Sequence, residues 1–201
     1  MRAADEALIV IDLQPDFCPG GALAVAGGDA ILAPVNALIA EFPAVILTQD
    51  WHPADHLSFA ANQPGRAPYE VVGMPYGPQV LWPVHCVQGT TGAEIHPGLR
   101  ADAAQLVVRK GFRPAIDSYS AFFENDHVTP TGLEGYLRTR GIRRLTLVGL
   151  ALDFCVAYSA VDAARLGFEV TVIESACRAI DLDGSLAAAM TAMRDAGVRL
   201  A

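Results

Sequence analysis

Apolar residues in this chain fall into short runs, and between the runs lie amphipathic stretches. Ala7-Leu8-Ile9-Val10-Ile11 is apolar throughout, too short for a helix, and closed by Asp12. A run of that kind, with no polar alternation, reads as a strand buried on both faces, as in parallel sheets. Ala44–Leu47, Gln105–Val108, Leu145–Val148 and Glu169–Ile173 read the same way, with Val198–Leu200 a short last strand. The spacing of Ile31, Leu32, Val35, Leu38 and Ile39 predicts a helix over Asp29–Ile39, with Asp29 placed to cap it and Pro34 near its first turn. Further helices are predicted near Thr131–Arg140, Asp153–Leu166 and Ser185–Ala196, and Gly141, Gly167 and Gly197 stand where these should end. Strand alternating with helix is the pattern of an α/β fold, a doubly wound, mainly parallel sheet between helical layers. The exception is Trp51 to about Arg100, rich in Pro and Gly, which holds both tryptophans and four of the five histidines. So long a loop in a compact domain is usually functional.

At 201 residues the chain is expected to form a single domain, 1–201, with that loop region at about 50–100. Hydrophobic residues make up 52% and charged residues 18%, which excludes a disordered chain. A net charge of −8 with no basic run argues against nucleic acid and against an anionic membrane as partners. No apolar run is long enough to span a bilayer, and Asp5 and Glu6 stand where a signal peptide would be basic, so a cytoplasmic location is expected. The four cysteines are scattered and read as thiols. Among fourteen basic residues only Lys110 is a lysine, which asks why arginine would not serve there.

Ligands of open parallel sheets bind beyond the carboxyl ends of the strands. Strand one ends at Asp12, strand two runs into Asp50-Trp51-His52, strand three ends at Arg109-Lys110, and strand four leads through Ala151 to Asp153 and Cys155. A carboxylate, a metal-capable pair, the lone lysine and a cysteine thus share one edge. Cys155 sits near a helix start, where free N–H groups and the helix dipole favour a thiolate and could hold an oxyanion. Asp12 could take the thiol proton while Lys110 stabilises developing charge. Asp50, His52 and a loop histidine, His85, are donors that suit Zn²⁺, Mn²⁺ or Fe²⁺ with positions left open for substrate. His56, His96 and His127 read as hydrogen-bonded loop residues, and Cys18, Cys86 and Cys177 as structural. Phe17 and Trp82 lie in loops at the same edge and could clamp a flat ring.

Five segments carry a resemblance: IDLQPDFCPGGALAV, TQDWHPADHLSFA, LWPVHCVQGTTGAEIHPGL, RKGFRPAIDSYSAFF and VGLALDFCVAYSAVDAARLGFEV. They extend almost from end to end, and the chain resembles the nicotinamidase branch of the cysteine-hydrolase, or isochorismatase-like, superfamily. The resemblance implies Asp12, Lys110 and Cys155 as catalytic triad and Asp50, His52 and His85 as metal ligands, with His56 reaching the metal in some relatives only. It implies Ala151 and Cys155 as backbone oxyanion donors, a cis peptide at Leu150–Ala151, and Phe17, Trp82, Tyr119 and Leu150 about the substrate. The chain departs from the usual A-T-D-Y-C at Leu152 and Phe154, where a hydroxyl and a phenol are lost, and has Ala176 where a glycine is common.

The expectation is a metal-dependent amidase, one divalent ion holding the ring nitrogen of nicotinamide while Cys155 forms a thioester, with pyrazinamide a second substrate and NAD salvage the setting. The alternatives are a superfamily amidase for another small amide, or a non-catalytic small-molecule binder, which would have no use for an activated thiol. A homo-oligomer is possible but not indicated.

Overall fold

The computed structural model describes residues 2–201. In chain order its strands are β1 (Glu6–Ile11), β2 (Val45–Asp50), β3 (Val71–Met74), β4 (Gly77–Val80), β5 (Leu106–Lys110), β6 (Arg144–Leu150), β7 (Glu169–Arg178) and β8 (Arg199–Leu200). Its α-helices are α1 (Leu32–Ile39), α2 (Leu133–Thr139), α3 (Ala157–Arg165) and α4 (Ser185–Asp195). Six strands make one sheet in the order β5-β2-β1-β6-β7-β8, every neighbouring pair parallel, with the helices around it. The apolar runs explain why: β1 from Ala7 onward and all of β2 are buried, as strands covered on both faces must be.

Chain order reverses beside β1. The strands that follow it build outward through β2 and β5 on one side and through β6, β7 and β8 on the other. The segments leaving β1 and β6 therefore part at their carboxyl ends and open a crevice, where doubly wound sheets bind ligands.

Local departures from the predicted elements have local causes. Asp29 makes no side-chain cap; residues 29–31 form a 3₁₀ turn that leads into α1. The helix expected from Asp153 opens instead as a π-helical turn, Leu152–Val156, before α3 begins. β7 runs on to Arg178 past a register shift opposite Leu147–Gly149. Within the long loop, β3 and β4 pair as an antiparallel hairpin that the Gly and Pro of Val71–Val80 conceal in sequence. Gly141, Gly167 and Gly197 follow the helices at positive φ, as expected of C-terminal caps. Among the described residues no helix is long and apolar enough to cross a membrane.

Gly149 is the tightest point of the sheet. Its φ is +123°, and a Cβ there would stand 2.1 Å from the Ile11 carbonyl oxygen on β1. Gly149→Ala should therefore cost about 3 kcal/mol, combining a backbone region closed to side chains with a clash against backbone. A urea unfolding midpoint left unchanged would contradict this.

Candidate active site

The lone lysine is the centre. Lys110 ends β5 fully buried, its Nζ 2.7 Å from Asp12 Oδ2 and 2.5 Å from Asp50 Oδ1, donating to the Ser118 carbonyl at 3.0 Å and lying 3.4 Å from Cys155 Sγ. A compact ammonium can sit among groups from four segments at once; a planar guanidinium cannot. Burial alone would lower its pKa, but Asp12 and Asp50 outweigh burial and hold it well above the usual value, so the cation stays charged.

The two carboxylates are pushed apart. Burial works against the charge of Asp50 too, yet Lys110 and His52 hold it well below the usual carboxylate range. For Asp12 burial prevails over Lys110, and its proton affinity is raised. One carboxylate is thus fixed as an anion and the other is disposed to take a proton, the division of labour that acid–base sites use. Asp12 Oδ1 accepts from the Thr48 hydroxyl at 2.6 Å. Oδ2 faces the ammonium without a well-directed hydrogen bond, and the carboxylate lies within 4.8 Å of Cys155 Sγ.

Burial raises the thiol pKa of all four cysteines, Cys18 to about 11 and Cys177 to about 12. Cys155 is pushed up most by burial as well, with Lys110 opposing. Its acidity does not single it out; its neighbours do. It stands in the π-helical turn after β6, with the Lys110 ammonium 3.4 Å from its sulfur and the Asp12 carboxylate within 4.8 Å. The Leu150–Ala151 peptide that leads into this turn is cis, as expected.

Asp50, His52 and His85 form the second group. Asp50 Oδ2 lies 3.3 Å from His52 Nε2 and 3.7 Å from His85 Nε2. Each Nδ1 is held by a backbone carbonyl, His52 by Gly111 at 2.8 Å and His85 by Pro83 at 2.7 Å. With Nδ1–H donating, both Nε2 lone pairs converge on the carboxylate, the tautomer and orientation that metal-binding imidazoles require. These residues fit a divalent ion. The His56 ring lies 4.5 Å from that of His52, tilted to it by 50°; its nitrogens meet Ser58 Oγ and the Ile116 carbonyl, and one stands within 4.8 Å of ligand atoms of His52 and Asp117, a second group that could hold an ion.

Both groups open onto one cavity, of about 20 Å³, lined by Phe17, Trp82, Tyr119, Ala151 and Cys155 among the predicted residues, and also by Leu23, Asp117, Phe154 and Ile180. Trp82 Nε1 donates to the Tyr119 hydroxyl at 3.0 Å, and Phe154 stands edge-on to both rings. Phe154, in place of the phenol, is thus an apolar wall of the site, while Leu152 is buried. Leu150 is buried in the core, its side chain near Gly28, and is not among the residues that line this cavity. A larger hollow of about 420 Å³ lies between α3 and α4 and contains none of the triad or the metal-type trio.

Thr48, Gln79, Asp117 and Ile180 escaped sequence reasoning. Thr48 follows the apolar run Val45–Leu47 and opens the polar end of β2, Thr48-Gln49-Asp50, all of it buried. Gln79 holds the aromatic wall, donating at 2.8 Å to both Tyr119 Oη and Asp117 Oδ2, but nothing in its sequence setting marks it.

A thiol beside an ammonium and a carboxylate, with a metal-type trio on the same aromatic-walled cavity, is equipped for nucleophilic attack on a polarised carbonyl. Residues 6–201 match the family model described as the isochorismatase domain. The chain belongs to the isochorismatase family. Within that family it is 54% identical to the nicotinamidase of Acinetobacter baylyi over 98% of this chain and 92% of that one. The structure titled Acinetobacter baumanii nicotinamidase pyrazinamidease superposes with a TM-score of 0.98 at 54% identity, covering 100% of this chain and 97% of that one. The PnC1 protein of L. infantum in complex with nicotinate gives 0.86 at 40% identity, covering 99% and 93%. The pyrazinamidase of Pyrococcus horikoshii in complex with zinc gives 0.78 at 34% identity, covering 98% of each.

Proposed function

We propose that this member of the isochorismatase family hydrolyses nicotinamide to nicotinate and ammonia, and pyrazinamide alongside it, with Cys155 as nucleophile and Asp50, His52 and His85 holding one divalent ion. The observation that carries the reading is that one aromatic-walled cavity joins the Lys110-centred thiol to the Asp50-His52-His85 trio. Similarity to nicotinamidases over nearly the whole chain supports the substrate. One carboxylate and two neutral imidazoles suit Zn²⁺, the ion in the P. horikoshii structure. When bound, the ion supplies a Lewis acid that anchors the ring nitrogen.

The chain's own residues do the rest. Phe17, Trp82 and Phe154 hold the ring, leaving its carboxamide at Cys155. Asp12 takes the thiol proton and the sulfur attacks the amide carbon; a C–S bond forms and the carbonyl electrons move onto oxygen. The N–H groups of Ala151 and Cys155 receive that oxyanion. Asp12 returns the proton to the departing nitrogen, the C–N bond breaks, and ammonia leaves a thioester. Water, deprotonated by Asp12, adds to the thioester carbon; the C–S bond breaks and Cys155 regains its proton. Lys110 steadies the negative charge as it passes between Asp12 and sulfur. Nicotinate formation suits a role in NAD salvage.

Metal-loaded protein mixed with nicotinamide should release ammonia and nicotinate in equal amounts. No release with metal confirmed bound would move the reading to another small amide. His52→Ala should cut metal affinity at least about tenfold and raise KM, with metal content read by elemental analysis; unchanged content would remove His52 from the ligand set.

A further inference from the structure

The cavity holds about 20 Å³, room for about one water. A pyridine carboxamide therefore enters only if a wall moves. Trp82 and Tyr119 are fixed by their shared hydrogen bond and by Gln79, and Phe17 is buried beneath them in a 3₁₀ turn. Leu23, Asp117, Ala151 and Phe154 are buried as well, and Ile180 is the one lining residue that is not. Ile180 is half-buried in the loop between β7 and α4, where Asp181 and Asp183 both sit at positive φ.

Besides the packing of Ala179, Ile180 and Leu182 against the core, that loop is hydrogen-bonded to the body of the molecule through one carboxylate. Asp153, buried in the π-helical turn two residues before Cys155, accepts from the Ile180 N–H at 3.0 Å, the Asp181 N–H at 2.8 Å and the Ser185 hydroxyl. Among the described residues the other hydrogen bonds of residues 179–184 stay within the loop or go to the start of α4, into which it runs. The same short segment thus carries the thiol and the anchor of the wall facing it.

We propose that Ile180 is the movable, specificity-setting wall of the substrate cavity and that Asp153 is the positioning residue that seats it over Cys155. The proposal rests on the reading of this cavity as the nicotinamide site. The loop swings out to admit the ring. It then closes on Asp153, with Ile180 limiting what ring substituents fit.

Two activity-independent and two activity-based readouts test it. Asp153→Asn replaces the accepting oxygens in part by a donor, and should speed alkylation of Cys155 by iodoacetamide about tenfold, the effect of losing one charge-assisted hydrogen bond, with the peptide identified by mass. It should raise KM for nicotinamide more than it lowers kcat. Ser185→Ala, which removes one of the three bonds, should move the alkylation rate the same way to a smaller extent, and carries the test if Asp153→Asn does not fold. Ile180→Ala should raise kcat/KM for at least one ring-methylated nicotinamide about tenfold relative to nicotinamide itself, the worth of one methyl-sized space. Alkylation rates equal to wild type in both loop variants, or a methylated-to-plain ratio unmoved by Ile180→Ala, overturn the proposal; so does a lowered melting temperature with KM and alkylation unchanged, which marks Asp153 as merely structural. Faster alkylation in a protein that never releases ammonia from nicotinamide supports the positioning role and removes the assigned substrate instead.

Discussion

Cys155→Ala should release no ammonia from nicotinamide above the background of the buffer, a loss of at least about 10⁴-fold in kcat. Removing a nucleophile leaves only binding and oxyanion stabilisation, and the residual rate in such sites is small. The variant should keep its fold, because Cys155 is a small buried side chain and alanine removes a single sulfur. It should also keep its metal, since Asp50, His52 and His85 are untouched. Retained metal and retained fold with lost turnover would separate a chemical role from a structural one. Substantial turnover in this variant would leave the proposed mechanism without its nucleophile.

Lys110→Met should be the most damaging single change outside the nucleophile. Methionine nearly matches the shape, so the effect isolates the charge. Without the ammonium, Asp12 and Asp50 face one another buried, with only the Thr48 hydroxyl and His52 left to balance them, and removing one partner of a buried pair costs about 3–5 kcal/mol. The unfolding midpoint of the metal-free variant in urea should fall accordingly. The surviving protein should show a second signature. Lys110 lowers the proton affinity of Asp12, so its loss raises that affinity further above the usual carboxylate value. A base is useful only when ionised, and activity is lost as pH falls through its pKa. The acid limb of kcat/KM should therefore move to higher pH in Lys110→Met. A variant as stable as wild type with an unmoved acid limb would place the charge of Lys110 outside the mechanism.

The central strands of the sheet were legible because they are buried on both faces, so burial writes itself as unbroken apolar runs such as Ala7–Ile11 and Leu145–Val148, whereas β5 and β7 carry exposed positions such as Val107 and Glu169. Asp12, Lys110 and Cys155 were legible for the same reason: once the strands are placed, their carboxyl ends are too. Hairpin β3–β4 was not, because its exposed positions and its Gly and Pro hide any alternation. Gln79, Asp117, Asp153 and Ile180 act through hydrogen bonds and walls between segments far apart in the chain, a kind of contact that periodicity does not record. The π-helical turn likewise looks like the first turn of a helix in sequence; its wider pitch shows only in the backbone.

The central claim is that the acyl group passes through the sulfur of Cys155. The most direct measurement is a rapid acid quench of wild-type enzyme mixed with excess nicotinamide, followed by peptide mass analysis across the first turnovers. The account predicts that the peptide bearing Cys155 gains the mass of one nicotinoyl group, and that the gain decays as nicotinamide is exhausted. An unmodified Cys155 peptide at every quench time while ammonia is released, or an acyl group on any other residue, would contradict it.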